Sequence, residues 1–225
     1  MINALILIPE ITKGMKSLGS KSLLQIKKNL SVVDYQIQSV KNIDKNIKII
    51  VCTGFESERV VSELTKNYKN IHFIYNSLYK ITNQAQSIKI CLEEYKKIDR
   101  WLIVSNGILL KNKCITTDML SNESKIFILN KNKENFSLGC SKESDVEYIF
   151  YGLPELWSEC VYLNGDATLL LRRLLVNSKV DQLYLFEIIN EVMNREIFFT
   201  KQYIDKKLIM KISTMKDITK AKSFI

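Results

Sequence analysis

Four short apolar runs, each followed by a polar turn and then by a segment with helical spacing, restrict what this chain can fold into. Residues 4–8, 47–52, 71–75 and 101–104 are rich in Ile, Val, Leu and Phe with little polar alternation. Runs of this kind belong to strands buried on both faces, as in a parallel sheet. Between them, Ser31 can cap a helix over 33–41, and Ser57 can cap a second that carries Val60, Val61 and Leu64 on one side. A third helix over 84–96 turns Ile88, Cys91, Leu92 and Tyr95 inward. Strand-helix-strand alternation predicts right-handed crossovers and a three-layer α/β architecture around a mainly parallel, mixed sheet of Rossmann-like type.

Size and composition agree with that class. The 225 residues suffice for one α/β domain over 1–225, read as a half spanning 1–112 and a second half spanning 113–225. No apolar run approaches the ~18 residues of a membrane span, and the apolar opening stops at Pro9 without a basic leader, so a cytoplasmic protein is expected. Five cysteines stand far apart with no C-x-x-C pair, the pattern of reduced, buried thiols. The net charge of +9 comes from scattered lysines without interleaved exposed aromatics, so nucleic acid is not an expected partner.

In an α/β sheet, ligands bind beyond the carboxyl ends of the strands, so the loop after residues 4–8 is the first place to look for chemistry. It reads Ile8-Pro9-Glu10-Ile11-Thr12-Lys13-Gly14-Met15 and leads to Ser20-Lys21-Ser22-Leu23-Leu24. With Val32-Val33-Asp34-Tyr35-Gln36-Ile37, Ile49 to Gly54, Phe73-Ile74-Tyr75-Asn76, Tyr79, Thr82-Asn83, Ser87 and the segment 210–221, this ordered series resembles the sugar-phosphate and phosphocholine nucleotidyltransferases. The resemblance covers about two-thirds of the chain and is weak over 114–195. It implies the nucleotide-diphospho-sugar transferase (GT-A-like) fold, with a nucleotide-binding first half, an acceptor-side second half, and joining of a nucleoside monophosphate to a phosphorylated acceptor.

The departures from that family fall on its working parts. The family's first loop is glycine-rich and ends in an arginine, so that N–H groups and a cation hold the triphosphate. Here Pro9 lacks an N–H, Glu10 puts negative charge where phosphate would sit, and the arginine position falls on Gly14. Lys21 matches the family's loop lysine, and Lys13 and Lys16 can compensate in part. The transfer also needs Mg²⁺ held by carboxylates. The first such acid follows the fourth strand, where this chain has Ser105-Asn106-Gly107-Ile108 with the acid position on Gly107, and the second lies in Lys211-Ile212-Ser213-Thr214. Both are missing. The resemblance therefore predicts a fold that has lost catalysis and serves as a binding or assembly module, with no cofactor. The alternative is an atypical Mg²⁺-dependent cytidylyl- or uridylyltransferase using relocated carboxylates such as Glu10 or Asp118.

The surviving site candidates are Lys13, Lys21, Asn76, Tyr79, Asn83, Ser87 and Asn106. Amides and hydroxyls in the 76–87 loop suit the edges of a base or sugar, but Asn76 and Asn83 are equally the residues that cap turns. The expected ligand is a nucleotide or sugar phosphate held weakly near Lys21 and Asn83, with an unidentified protein or a second copy as partner. Farther on, 125–130, 136–140, 146–151, 196–201 and 208–212 read as strands, and 153–155 as a turn. Residues 167–176 and 181–194 read as helices, with Asp166 as a cap for the first, and Thr214 with Asp217 makes a capping box. The Asp-x-Asp of a metal-dependent glycosyltransferase is absent, Asp145-Val146-Glu147 being the nearest approach, and His72 reads as a structural strand residue.

Overall fold

The computed structural model describes residues 1–12, 14, 16–97, 100–120, 122–129, 137–141 and 146–225. In chain order the strands are β1 (Ile2–Ile8), β2 (Gln25–Lys27), β3 (Leu30–Ser31), β4 (Lys48–Thr53), β5 (Ile71–Tyr75), β6 (Arg100–Ser105), β7 (Ile108–Leu110), β8 (Ser124–Leu129), β9 (Leu138–Cys140), β10 (Ile149–Tyr151), β11 (Glu155–Leu163), β12 (Phe199–Ile204) and β13 (Ile209–Lys211). The helices are α1 (Val32–Ile43), α2 (Ser57–Asn67), α3 (Gln84–Glu94), α4 (Gly165–Leu175), α5 (Leu185–Met193) and α6 (Met215–Phe224).

β1 is fully buried and lies between β4 and β6, parallel to both, with β5 parallel to β4 at one edge. Alternate residues divide the core as the pleat requires. Ala4, Ile6 and Ile8 face α1 and α2, while Leu5, Leu7 and Trp101 face α3, α4 and α5. Beyond β6 the sheet turns antiparallel: β11 pairs with β6, β8 with β11, and β12 returns parallel to β8. The result is a three-layer α/β fold about a mixed, mostly parallel sheet.

Local chemistry explains the elements that are legible in the sequence. Ser31 caps α1 in a reciprocal box with Asp34, and Thr214 does the same for α6 with Asp217. All five cysteines are free and buried, and burial pushes the Cys114 and Cys140 thiols up to about 12, so neither is a nucleophile at neutral pH. His72 is exposed on the edge strand and meets Tyr95 edge-on.

Several expectations are corrected. β11, nine residues long and central to the second half, was not expected beyond the turn at 153–155; Ser158 and Glu159 interrupt its apolar run at a bulge between Trp157 and Val161. The helix expected over 181–194 is a short 3₁₀ turn (Ser178–Gln182) followed by α5. The strand expected over 196–201 lies at Phe199–Ile204. Asn164, not Asp166, caps α4, because its side chain accepts from Ala167 N–H while Asp166 is exposed. Residues 130, 136 and Asp145 lie outside the described residues.

The short strand β10 pairs antiparallel with β9 and is tied to α5 by one side chain. Asn190 of α5 is buried, accepts from the N–H of Ile149 at 3.0 Å and donates to its C=O at 2.9 Å. Asn190→Ala removes both bonds and leaves two buried backbone groups unsatisfied, so a loss of about 2 kcal/mol is expected. Urea unfolding checks it; an unchanged midpoint would mean that β10 is held by its pairing with β9 instead.

Candidate functional site

The loop leaving β1 is closed down on the sheet by a glycine. A Cβ on Gly54 would stand 2.5 Å from the Pro9 carbonyl oxygen and 2.7 Å from Tyr79 Cβ, and Phe55 N–H donates to that same carbonyl at 3.0 Å. The loop after β1 and the 76–83 loop thus meet over β4. At the far end of the first loop, Ser20 N–H donates to the Glu56 carboxylate, which also pairs with Arg59. Directly after that second anchor a 3₁₀ turn (Lys21–Leu23) sends the Lys21 side chain inward.

Lys21 is 6% exposed, and its ammonium donates to the carbonyl of Asn106 at 3.2 Å with Glu10 Oε1 at 3.9 Å. Burial pushes its pKa below the ordinary lysine value; Glu10 opposes that shift, Lys211 adds to it and Glu159 opposes it. Lys211 and Glu159 are themselves an ion pair. The bulge in β11 puts Glu159 in the left-handed region, φ 59°, fixed by Trp157 Nε1 donating to the Cys160 carbonyl and Cys160 N–H donating to Ser158 Oγ. Two lysines and two glutamates thus gather beyond the ends of β1 and β6.

The turn after β6 sharpens the reading of the missing acid. Gly107 has φ +82°, and a Cβ there would meet the Ile212 carbonyl at 2.8 Å and Lys21 Cε at 3.3 Å, so no side chain fits that position unaltered. The side chain this turn offers is Asn106, which is 4% exposed with both amide atoms lacking a partner. Glu10 Oε2 is likewise buried and unpartnered.

Two cavities open over this floor and share Gln84 and Tyr184. The smaller, about 430 Å³, is lined by Glu10, Asn76, Tyr79 and Asn83 among others. The larger, about 660 Å³, is lined by Ser105, Glu159, Lys211 and an aromatic wall of Tyr151, Trp157, Tyr184 and Phe186. Of the sequence candidates, Asn76, Tyr79 and Asn83 come together, and Lys21 meets Asn106. Asn76 is largely committed internally: its amide donates to Ser87 Oγ at 2.9 Å and accepts from Leu78 N–H. Asn83 donates to the Gln182 carbonyl. Lys13 lies outside the described residues. Asp118 sits on a 3₁₀ turn whose Thr117 bonds to the carbonyl of Ile43 at the end of α1, so it belongs to the opposite end of the sheet. Sequence reasoning missed Glu159, Gln84 and Tyr184; the Ser-Glu break in an otherwise apolar run was the available signal for the first.

Over the described residues this architecture superposes on solved enzymes across nearly their whole length. A CTP:phosphocholine cytidylyltransferase from Streptococcus pneumoniae matches with TM-score 0.80 at 17% identity, covering 99% of this chain and 98% of that one. The fold is that of the nucleotidyltransferases. An inositol-1-phosphate CTP transferase from T. maritima (TM-score 0.73, 13% identity, 99% and 95% covered) and a nucleoside-diphosphate-sugar pyrophosphorylase from Vibrio cholerae (0.76, 12%, 99% and 100%) agree. No protein-family model and no curated protein matches the sequence.

The nucleotidyltransferase fold implies Mg²⁺, and the donor set here does not fit it. Among the described residues no group of three or more His, Cys, Asp or Glu side chains comes together. The two nearby glutamates are each met by a lysine, and a dication ~4 Å from the Lys21 ammonium would be repelled by several kcal/mol without carboxylates to compensate. No helix among those residues is long and apolar enough to cross a membrane.

Proposed function

We propose that this chain is a nucleotidyltransferase-fold binding module that holds a phosphate-bearing small molecule, of the nucleotide or sugar-phosphate kind, and does not transfer nucleotides. One observation carries the reading: where the family's chemistry calls for a carboxylate after β6 this chain has Gly107, at which a Cβ would stand 2.8 Å from the Ile212 carbonyl oxygen, so the buried ammonium of Lys21 beside it has no acid with which to share a metal. A cation in that place attracts phosphate, but it cannot gather the metal that neutralises developing charge during transfer. The structurally similar enzymes act on CTP with phosphocholine or inositol-1-phosphate, or on nucleoside-diphosphate sugars, which supports a ligand of the same chemical family. Cytoplasmic residence and a single functional unit over 1–225 go with this reading.

The competing reading is an atypical Mg²⁺-dependent cytidylyl- or uridylyltransferase, favoured by the presence of Glu10 and Glu159 beside the site. The two separate in one assay. Purified protein is given CTP, UTP, ATP or GTP with Mg²⁺ and either phosphocholine or glucose-1-phosphate, and pyrophosphate is measured. No release above the protein-free rate is expected. Mg²⁺-dependent release that disappears in Lys21→Ala would establish the enzyme and end the module reading.

A further inference from the structure

On the sheet face opposite α3, α4 and α5, the helices α1 and α2 lie over one shared core. Both turn their apolar residues down to it, Val33, Ile37 and Val40 from the first and Val60 and Leu64 from the second. What the two helices turn toward each other is polar. Ser31, Asp34 and Gln38 recur at helical spacing along α1 and its cap, and Arg59, Glu63 and Asn67 do so along α2. All six line one cavity of about 820 Å³, to which the β2–β3 hairpin adds Gln25 and Asn29. A single aliphatic side chain, Leu23, borders it.

The chemistry of that lining narrows the ligand. Arg59 is its one cation and pairs with Glu56 at 3.2 Å, Glu63 pairs with Lys66 at 2.7 Å, and the Asp34 carboxylate accepts from the N–H and the hydroxyl of Ser31. Its charges are therefore already answered, which selects neither a phosphate nor a metal. With one aliphatic residue, the groove also lacks the pockets that seat peptide side chains or a largely apolar ligand. What remains is hydrogen bonding by neutral groups. The amides of Gln25, Asn29 and Asn67 have no protein partner among the described residues, and Gln38 reaches the Tyr68 hydroxyl only at 3.5 Å. Each amide sets a donor beside an acceptor, which two neighbouring hydroxyls of one ligand answer together. The Tyr68 hydroxyl is held loosely as well, its bond to the Asp34 carbonyl being 3.5 Å long.

We propose that this groove binds a neutral, polyhydroxylated small molecule, a sugar or sugar alcohol without phosphate, at a site separate from the cleft. Gln38 and Asn67, brought to one end of the groove beside Tyr68, are its principal contacts. This site stands whether or not the cleft holds a phosphorylated compound.

Nuclear magnetic resonance titration of the isotope-labelled full chain with glucose, galactose, N-acetylglucosamine, sucrose and ribitol tests this, with glucuronate and glucosamine as charged counterparts. At least one neutral compound is expected to move the amide signals of Gln25, Gln38 and Asn67 with a dissociation constant no weaker than about 10 mM, and to leave those of Asn83 and Gln84 in the cleft unmoved. Gln38 and Asn67 are both exposed, so Gln38→Ala combined with Asn67→Ala is expected to weaken binding at least about tenfold at an unchanged melting temperature. Asn67→Asp, which keeps the side chain's shape but exchanges its donor for a charge, serves if the double variant melts lower, and the same direction of effect is expected. No binding by any neutral compound at about 50 mM overturns the proposal. So do signals that move only around the cleft, tighter binding of glucuronate or glucosamine than of the neutral sugars, or unchanged affinity in either variant.

Discussion

Gly54→Ala is expected to destabilise the protein by about 3 kcal/mol and to remove ligand binding with it. The added methyl group would sit 2.5 Å from the Pro9 carbonyl oxygen, 2.7 Å from Tyr79 Cβ and 2.9 Å from Pro9 Cα. Two of those atoms are backbone, so no rotamer change relieves the overlap. The first loop must lift off β4, stretching the bond from Phe55 N–H to Pro9 and separating Glu10 from Lys21. Gly14→Ala is the proper control. Gly14 has φ +78° but nothing within 4 Å of its would-be Cβ, so only the backbone cost of about 1 kcal/mol applies. Chemical denaturation of both variants decides the matter. Equal midpoints would mean that the Pro9 loop is not held by close approach to Gly54.

Lys21→Met is expected to make the protein more stable while depriving it of its ligand. The lysine is buried against a single carbonyl and a carboxylate 3.9 Å away, a weak return for removing an ammonium from water. Methionine fills a similar volume with no charge to desolvate, and Glu10, 39% exposed at its side chain, keeps part of its hydration although its Oε2 is buried. The expected gain at neutral pH is about 1 to 2 kcal/mol, net of the lost hydrogen bond. It has a pH signature. The folded Lys21 pKa lies below 10.5, so between the two values the unfolded chain holds a proton that the folded chain has released. Wild-type stability contributed by this group therefore rises with pH through that window, and the advantage of Lys21→Met shrinks there. Melts of both proteins across the alkaline range measure the difference, in which the tyrosines common to both cancel. A variant less stable than wild type at every pH would show that Lys21 is a structural ion-pair partner with no cost to recover.

Why so much of the first half could be read from the chain, and so little of the second, has a physical cause. Strands β1, β4 and β6 are buried by helices packed on one face or both, so their apolar runs announce them, and Ser31 with Asp34 marks a helix start unambiguously. β11 is central too, yet Ser158 and Glu159 break its pattern because the chain there is bulged to carry a charge into the cleft. The polar loop shows the limit for site residues. Asn76 and Ser87 are of a kind that could read a ligand, and in the fold they hydrogen-bond to each other; composition alone does not separate the two uses. Gly107 marks a further limit, since only the approach of Ile212 reveals that its neighbour Asn106 is the residue to ask about.

That approach depends on the return of the chain from the second half to the first. β13 pairs with β7, Ile212 N–H donates to the Gly107 carbonyl at 2.8 Å, and α6 covers Ile26, Val32 and Leu109. During synthesis, the sheet made by β1, β4, β5 and β6 can assemble early, because all its strands lie within the first 105 residues. The turn that presents Lys21 and Asn106 stays uncovered until residues 209–224 have left the ribosome. A nascent chain would therefore have a folded sheet before it had a competent pocket, and a ligand could be captured only by molecules whose translation has passed that point.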